Sequence, residues 1–161
     1  MLMEQVGTQV QEKEFTFTTP QVRGLSYKLL NPKSTEFKKH LAQCYEFIDQ
    51  AAKNSHTVYN LPTDLMVKRC VDNLCDTWVS MQGNKIVGCC TIGVMTYGPT
   101  VGIILESTSG TWVREDVMPI VEKFYKDLGF KFVEVVGRKG WERTLNKMGY
   151  KFSKITLHKE L

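Results

Sequence analysis

The stretch from Glu106 to Arg114 places chemically active side chains between a buried strand and an amphipathic helix. The candidate residues in it are Glu106, Ser107, Thr108, Ser109, Gly110 and Arg114. Ligands of strand–helix units bind at the carboxyl ends of the strands and at helix N-termini, where backbone N–H groups favour anions. The sequence therefore predicts a ligand site in this stretch, read as a hydroxyl-rich loop that follows a strand over 102–107.

The helix after this loop is predicted from an apolar stripe with helical spacing. The stripe consists of Val117, Ile120, Val121, Phe124, Tyr125 and Leu128. Asp116 is a suitable N-cap, which leaves Pro119 in the first turn, and Gly129 stops the helix. A strand over 132–136 follows, so the unit predicts a parallel strand pair with a right-handed crossover. A short helix and a strand over 150–152 complete this region.

The first half of the chain predicts a strand over 26–30 and two helices. The inward residues of the first helix are Phe37, Leu41, Cys44, Ile48 and Ala52, and those of the second, over about 63–74, are Leu65, Met66, Cys70 and Leu74. A hairpin follows, with strands over 77–81 and 85–92 joined at Gln82-Gly83-Asn84. A last antiparallel strand is predicted over 153–159.

This element order predicts an α/β fold (α+β mixed sheet), a central twisted mixed β-sheet flanked by helices on both faces. Residues 24–161 form one domain, and residues 1–23 form an N-terminal arm. The arm is polar apart from an alternating patch over 14–18. Two interpretations stay open for it: a frayed tail, or an arm that adds a strand to the sheet edge of a partner.

Composition excludes several classes of function. The chain has 161 residues, 42% of them hydrophobic, and a net charge of +4, which is too weak for a nucleic-acid signature. No apolar run approaches the roughly 20 residues of a membrane span, and we expect no signal peptide. The five cysteines lack C-x-x-C spacing and predict reduced thiols in a cytosol-like compartment. The three histidines are far apart, so no metal site is expected.

The element order resembles that of the GNAT acyltransferase superfamily over about residues 25–158. Two local sequences are similar to family motifs: Asn84 to Cys90, in the second hairpin strand, and Leu145 to Phe152, at the end of the last helix. The resemblance implies that acetyl-CoA lies between the fourth and fifth strands, with its pyrophosphate on backbone N–H groups of a glycine-containing loop. By that analogy Ser107, Thr108, Ser109, Gly110 and Arg114 bind the cofactor, and Glu106 is a general base acting through water.

The chain departs from the family pattern at two points. Leu145 stands where many members have a tyrosine that protonates the leaving thiolate, and Gly110 is the one glycine of the expected phosphate loop. Tyr150 lies at the usual phenylalanine position and is expected in the core. A basic set near the last helix, Arg138, Lys139, Arg143 and Lys147, would suit a nucleotide 3′-phosphate or a solvated helix face.

Chains with such departures resemble GNAT-like proteins of tailed bacteriophages. The leading hypothesis is therefore a catalytically degenerate virion or assembly protein, found in the host cytoplasm or the virion, that contacts other virion proteins through residues 1–23. The alternative is an acetyl-CoA-dependent N-acetyltransferase acting on a small amine or a protein amine. Both hypotheses leave open whether acetyl-CoA binds.

Overall fold

The computed structural model describes residues 14–54, 61–137, 139–153 and 159, and these build one six-stranded sheet. Its strands are β1 (Phe15–Thr18), β2 (Ser26–Leu30), β3 (Cys75–Gln82), β4 (Lys85–Tyr97), β5 (Thr100–Gly110) and β6 (Val133–Val135). They follow one another in sequence order across the sheet. All neighbours are antiparallel except β5 and β6, which are parallel as predicted.

Helices cover both faces of the sheet. They are α1 (Phe37–Lys53), α2 (Thr63–Val71), α3 (Arg114–Asp127) and α4 (Glu142–Lys147), the last preceded by a 3₁₀ turn at Lys139–Trp141. One apolar cluster joins α1 and α2 to the sheet, and a second joins α3 to the opposite face. These two faces are called the α1 face and the α3 face below. The predicted mixed sheet with helices on both sides is confirmed.

Helix α1 buries Phe37, Leu41, Cys44 and Ile48, as its stripe predicts. Helix α2 ends three residues earlier than expected, at Val71. Asn73 adopts a positive φ of 55°, and the N–H of Leu74 donates to the carbonyl of Arg69 at 2.8 Å, which closes the helix end. Because the chain turns away there, Leu74 is 59% exposed. Leu65, in the first turn of the helix, is 43% exposed. The prediction that these two leucines point inward is wrong.

Helix α3 begins at Arg114, so Asp116 lies in its first turn and is not the N-cap. Its buried residues are Val117, Met118, Val121 and Tyr125. Leu128 is the C-cap residue and is 61% exposed, which corrects the end of the predicted stripe. Gly129 follows with a φ of 96°, a left-handed conformation that glycine adopts readily, and the predicted helix stop is confirmed.

The alternating patch of the N-terminal arm forms β1 at the edge of this chain's own sheet. Phe15 is 6% exposed and pairs with Leu30 of β2. The strand that could extend a partner's sheet is therefore paired within the chain. Residues 1–13 lie outside the described residues, and partner binding by residues 1–23 stays a prediction.

The chain after α4 differs from the predicted strand over 150–152. The N–H of Tyr150 donates to the carbonyl of Leu145 at 3.1 Å, and Gly149 has a φ of 88°, so this segment still belongs to the helix end. Phe152 is 69% exposed and lies in no strand. Most of the strand predicted over 153–159 lies outside the described residues.

Candidate functional site

The parallel strands β5 and β6 pair over three residues and then part. Pairing runs from Ile103 with Val133 to Leu105 with Val135. Beyond this point β6 ends, whereas β5 continues along β4 to Gly110. The parting leaves a wedge at the carboxyl ends of both strands, and α3 begins four residues after β5 ends. A wedge of this kind beside a helix N-terminus suits an elongated ligand that carries negative charge.

A β-bulge places Glu106 at the start of the wedge. Thr91 pairs with Ser107, while the next residue of β4, Ile92, pairs with Leu105, so Glu106 is the extra residue. Such bulges redirect a side chain and are frequent beside active sites. The carboxylate of Glu106 occupies the space that a side chain at Gly93 would need. The absence of a side chain at Gly93 therefore makes room for the carboxylate.

Arg69, from the last turn of α2, holds this carboxylate. Its Nη2 donates to Oε1 of Glu106 at 2.7 Å, and the two side chains are 30% and 15% exposed, respectively. Within the described residues, Oε2 of Glu106 and Nε of Arg69 are buried without a hydrogen-bond partner. Burial raises the pKa of Glu106, and the nearby guanidinium opposes that rise only in part. The site thus offers a carboxylate oxygen that is free to accept a proton, with a pKa closer to neutrality than that of an exposed glutamate.

The residues predicted as a phosphate loop are the end of strand β5, which corrects the loop prediction. Ser107 and Thr91 share a hydroxyl hydrogen bond of 2.8 Å, and Ser109 donates to Oε1 of Gln50 in α1 at 2.7 Å. Thr108 points to the opposite face, where it donates to Sγ of Cys90 at 3.4 Å. The hydroxyls alternate because the segment remains paired with β4. Their predicted role as cofactor ligands stays a prediction.

Gly110 is fixed by packing as well as by its conformation. Its φ is 79°, and a Cβ here would collide with the backbone of Val87 and Gly88 and with the ring of Phe47. The glycine thus allows β4, β5 and α1 to meet closely where the chain leaves the sheet. Its contact with a phosphate stays a prediction, because the close packing at this position already requires a glycine.

The N-terminus of α3 is held by aromatic side chains. The N–H of Val113 donates to Oη of Tyr27 at 3.1 Å. The ring of Trp112 packs edge-on against Tyr27 with centroids 5.1 Å apart, and its Nε1 is buried without an acceptor among the described residues. The guanidinium of Arg114 lies 3.9 Å from the ring centroid of Trp141, just before α4. This end of the helix therefore presents an indole N–H donor and a cation beside the first backbone N–H groups of α3.

Sequence reasoning missed Arg69, Gly93 and Trp141 as parts of the site. Arg69 is one of two cations, with Lys68, in the last turn of a helix. Nothing in the sequence pattern pairs it with Glu106, 37 residues further along the chain. Gly93 lies inside a strand, where an isolated glycine is a signal of close approach by another group. That signal could have found the place of the carboxylate.

The remaining candidate residues are Tyr150 and the basic set near the last helix. The phenol of Tyr150 donates to Oε1 of Glu122 at 2.6 Å, and burial raises its pKa, as expected of a core tyrosine with a polar tip. Arg143 and Lys147 are exposed, whereas the side chains of Arg138 and Lys139 are outside the described residues. The described residues contain no cluster of three metal-ligating side chains and no helix that could cross a membrane.

No family model and no curated protein matches the sequence. Solved structures do match the fold. An aminoglycoside acetyltransferase from an uncultured soil metagenomic sample, solved with sisomicin, has a TM-score of 0.58 at 15% identity and covers 85% of this chain and 96% of its own. A protein from Clostridium acetobutylicum described as a predicted acetyltransferase, with acetyl-CoA, has a TM-score of 0.60 at 12% identity, covering 84% and 96%.

A GNAT family acetyltransferase from Staphylococcus aureus has a TM-score of 0.57 at 17% identity and covers 85% of this chain and 98% of its own. All three are similar over nearly their whole length, and the likeness includes the mixed sheet with its flanking helices. At these identities the likeness defines architecture, and it confirms the fold class inferred from the sequence. The chain therefore has the GNAT acetyltransferase fold.

Proposed function

We propose that this protein is an acetyl-CoA-dependent N-acetyltransferase in which Glu106 is the general base. The observation that carries the proposal is the redirected carboxylate at the parting of β5 and β6. It is mostly buried, is held at one oxygen by Arg69, and has its other oxygen unpartnered among the described residues. A buried unsatisfied carboxylate oxygen is costly for folding, and this cost is expected where a site needs the atom.

The residues around the wedge fit acetyl-CoA. The first N–H groups of α3, the cation of Arg114 and the orphaned Nε1 of Trp112 are donors suited to phosphate oxygens. The ring of Trp112, the bulky side chain of this segment, packs on Tyr27. Asp116, an acidic residue in the same turn, is paired with Arg23 at 3.2 Å, which offsets its charge. When bound, the cofactor would supply the thioester from which the acetyl group passes to an amine acceptor, with the coenzyme A thiol as the leaving group.

Glu106 performs the proton transfer in this proposal. An amine acceptor arrives as an ammonium ion and must lose a proton before it can attack. Oε2 of Glu106 accepts that proton, directly or through one water, while Arg69 fixes Oε1 and so the orientation of the carboxylate. Because burial raises the pKa of Glu106, its carboxylate is a stronger base than an exposed one. Leu145 has no proton to give, so protonation of the leaving sulfur is assigned to solvent.

The acetyltransferase hypothesis is better supported than the virion hypothesis. The fold likeness is to acetyltransferases, which favours the alternative hypothesis. The same comparison suggests which acceptors to test first. One similar structure contains sisomicin, so an acceptor panel should begin with aminoglycosides and extend to small amines and peptide amines.

Ligand binding and turnover test this proposal together. Acetyl-CoA at 100 times its dissociation constant should raise the free energy of unfolding by about 2.7 kcal/mol, measured by thermal or denaturant unfolding. Release of free thiol on adding the acceptor panel then reports turnover. Arg114→Gln should weaken binding of acetyl-CoA, whereas Lys126→Gln, at the exposed end of the same helix, should not. An unfolding curve unchanged by millimolar acetyl-CoA would contradict the proposal.

A further inference from the structure

A cavity lies on the α3 face of the sheet, between the start of β3 and the end of α3. Its volume is about 210 Å³. Its walls are mostly apolar, and the side chains of this kind include Ile92, Val94, Ile103, Leu128 and Phe130. Val94 and Leu128 are 62% and 61% exposed, so the cavity opens to solvent beside them. An engineered protein cavity of roughly 150 Å³ with similar walls holds benzene, so this cavity accommodates a molecule with one ring.

One carboxylate lies among these apolar walls. Asp76 follows Cys75 in β3, and the alternation of the strand places its side chain on the α3 face, where Asp76 lines the cavity. Its Oδ2 accepts the hydrogen bond of the Tyr125 phenol at 2.6 Å, which is the only hydrogen bond of this side chain among the described residues. Oδ1 has no partner within that set and is not one of the buried unpartnered atoms, so it is accessible. The cavity thus presents one carboxylate oxygen to a molecule that enters it.

No cation pairs with Asp76 within the part of the chain that the structure describes. Three other aspartates, Asp49, Asp72 and Asp127, each form an ion pair with a lysine four residues away. A carboxylate beside apolar walls loses part of its hydration, and the binding of an opposite charge offsets this loss. A positive charge would therefore complement the cavity.

We propose that this cavity binds a small organic ammonium ion, a primary amine on an apolar body of about one ring. The ammonium group donates to Oδ1 of Asp76, while the phenol of Tyr125 holds Oδ2 and so fixes the carboxylate. The apolar body displaces water from the aliphatic and aromatic walls, which favours binding. A neutral alcohol of the same shape lacks the charge-assisted hydrogen bond, and a carboxylate ligand is repelled by Asp76.

The cavity and the proposed acetyl-transfer site lie on different faces of the sheet. Gly93 lines the cavity, and the carboxylate of Glu106 occupies the space that a Cβ at Gly93 would need. Glu106 is held by Arg69 on the α1 face, whereas Asp76 is bonded to a side chain of α3. The backbone of β4 thus separates the two carboxylates, and binding in the cavity does not rest on the proposed function.

Three small molecules of similar shape test the charge of the ligand: phenethylammonium, phenethyl alcohol and phenylacetate. Titration of the isotope-labelled native protein, followed through its backbone amide NMR signals, gives a dissociation constant for each molecule and reports where it binds. The amides of the cavity residues Ile92, Val94 and Phe130 should shift. Phenethylammonium should bind about tenfold or more tightly than the alcohol, and phenylacetate should bind more weakly than either. Equal affinity for all three molecules, or shifts centred on Glu106, would overturn the proposal.

Substitution of Asp76 tests the contact itself. Asp76→Asn should weaken the binding of phenethylammonium about tenfold or more and leave that of phenethyl alcohol nearly unchanged. The amide oxygen can still accept the hydrogen bond of Tyr125, so the fold should persist. Asp127→Asn removes an exposed carboxylate that does not line the cavity and should change neither affinity. Wild-type affinity for phenethylammonium in Asp76→Asn would overturn the assignment of the carboxylate.

A second pair of variants tests the cavity without changing its carboxylate. Val94→Trp fills the mouth of the cavity and should weaken the binding of both phenethylammonium and phenethyl alcohol. Thr96→Trp, two residues further along the same face of β4 and outside the cavity lining, should weaken neither. This comparison remains decisive if Asp76→Asn does not fold. Unchanged binding in Val94→Trp would overturn the cavity as the site.

Discussion

Two buried polar clusters lie on opposite faces of the sheet. In one, called the closed cluster, the polar atoms are hydrogen-bonded to one another; in the other, called the open cluster, two polar atoms have no partner among the described residues. On the α3 face, Nε1 of Trp78 donates to Oη of Tyr125 at 3.0 Å, and this phenol donates to Oδ2 of Asp76 at 2.6 Å. On the α1 face, Arg69 and Glu106 share one hydrogen bond and leave Nε and Oε2 without partners among the described residues. The closed cluster serves the fold, whereas in the proposed function the open one keeps an atom available for a substrate.

The largest expected effect comes from removing the open cluster's base. Glu106→Gln should lower turnover by about 10²–10⁴, because the amide cannot accept the proton of the acceptor. The amide oxygen can still accept the hydrogen bond from Arg69, so the fold should persist. Steady-state kinetics and circular dichroism of the same sample measure both outcomes.

An exposed glutamate provides the control for this substitution. Glu46 lies on the solvent side of α1, and Glu46→Gln should leave turnover unchanged. Wild-type turnover in Glu106→Gln would remove the carboxylate from the mechanism. Both clusters would then be structural, and they would differ only in how completely their polar atoms are hydrogen-bonded.

The next largest effect is expected for the apolar packing of α3 against the sheet. Met118 is 1% exposed, and Met118→Ala should lower the free energy of unfolding by about 2–5 kcal/mol, because a cavity forms between α3 and the sheet. Leu128, the C-cap residue of the same helix, is 61% exposed, and Leu128→Ala should change stability by no more than about 0.5 kcal/mol. Denaturant unfolding measures both, and equal losses would show that the helix phase described here is wrong.

Removal of the hydrogen bonds of the closed cluster should lower the free energy of unfolding and leave turnover unchanged. Tyr125→Phe removes the phenol that links Trp78 to Asp76 and leaves both groups unsatisfied, at a cost of about 1–3 kcal/mol in unfolding free energy. Turnover per folded molecule should not change. Tyr45→Phe, which removes an exposed hydrogen bond to Asp64, is the matched control and should have a smaller effect on unfolding. A loss of turnover in Tyr125→Phe, with no loss of stability, would reverse the roles given to the two clusters.

The sequence predicted the layers of the fold better than the geometry of the site. Apolar periodicity identified α1, α3 and the central strands, since burial of a stripe is a local property of the chain. The hydroxyl-rich run from Ser107 to Ser109 was interpreted as a loop because such residues favour turns. In the structure the long β4 strand pairs with it and extends β5 to Gly110, an effect of a distant segment that the run itself does not encode.

The candidate site depends even more on such long-range contacts. Glu106 was identified from its position at the end of a strand, but its partner Arg69 and the bulge that redirects it arise only from tertiary pairing. The stripes likewise failed at their ends, where Leu74 and Leu128 lie beyond the helix terminus. Apolar periodicity shows which face of a helix is buried, but it does not show at which residue the helix ends and stops packing against the sheet.

The smallest effect is a shift in pH dependence, and it tests the open cluster directly. Burial raises the pKa of Glu106, and Arg69 opposes this rise through its charge and its hydrogen bond. The base must be deprotonated, so activity falls as pH falls through the pKa of Glu106. Arg69→Met removes the opposing charge, and the acid limb of kcat/KM should therefore move to higher pH.

Arg69→Lys keeps a positive charge beside the carboxylate and should move the limb less than Arg69→Met. Stability should follow the same pKa, since a carboxyl group with a raised pKa in the folded state favours folding at low pH. This contribution is lost as pH rises through the folded-state pKa, so Arg69→Met should lose more melting temperature between acid and neutral pH than the wild type. A limb that stays in place, or moves to lower pH, would show that the guanidinium does not control the protonation of Glu106.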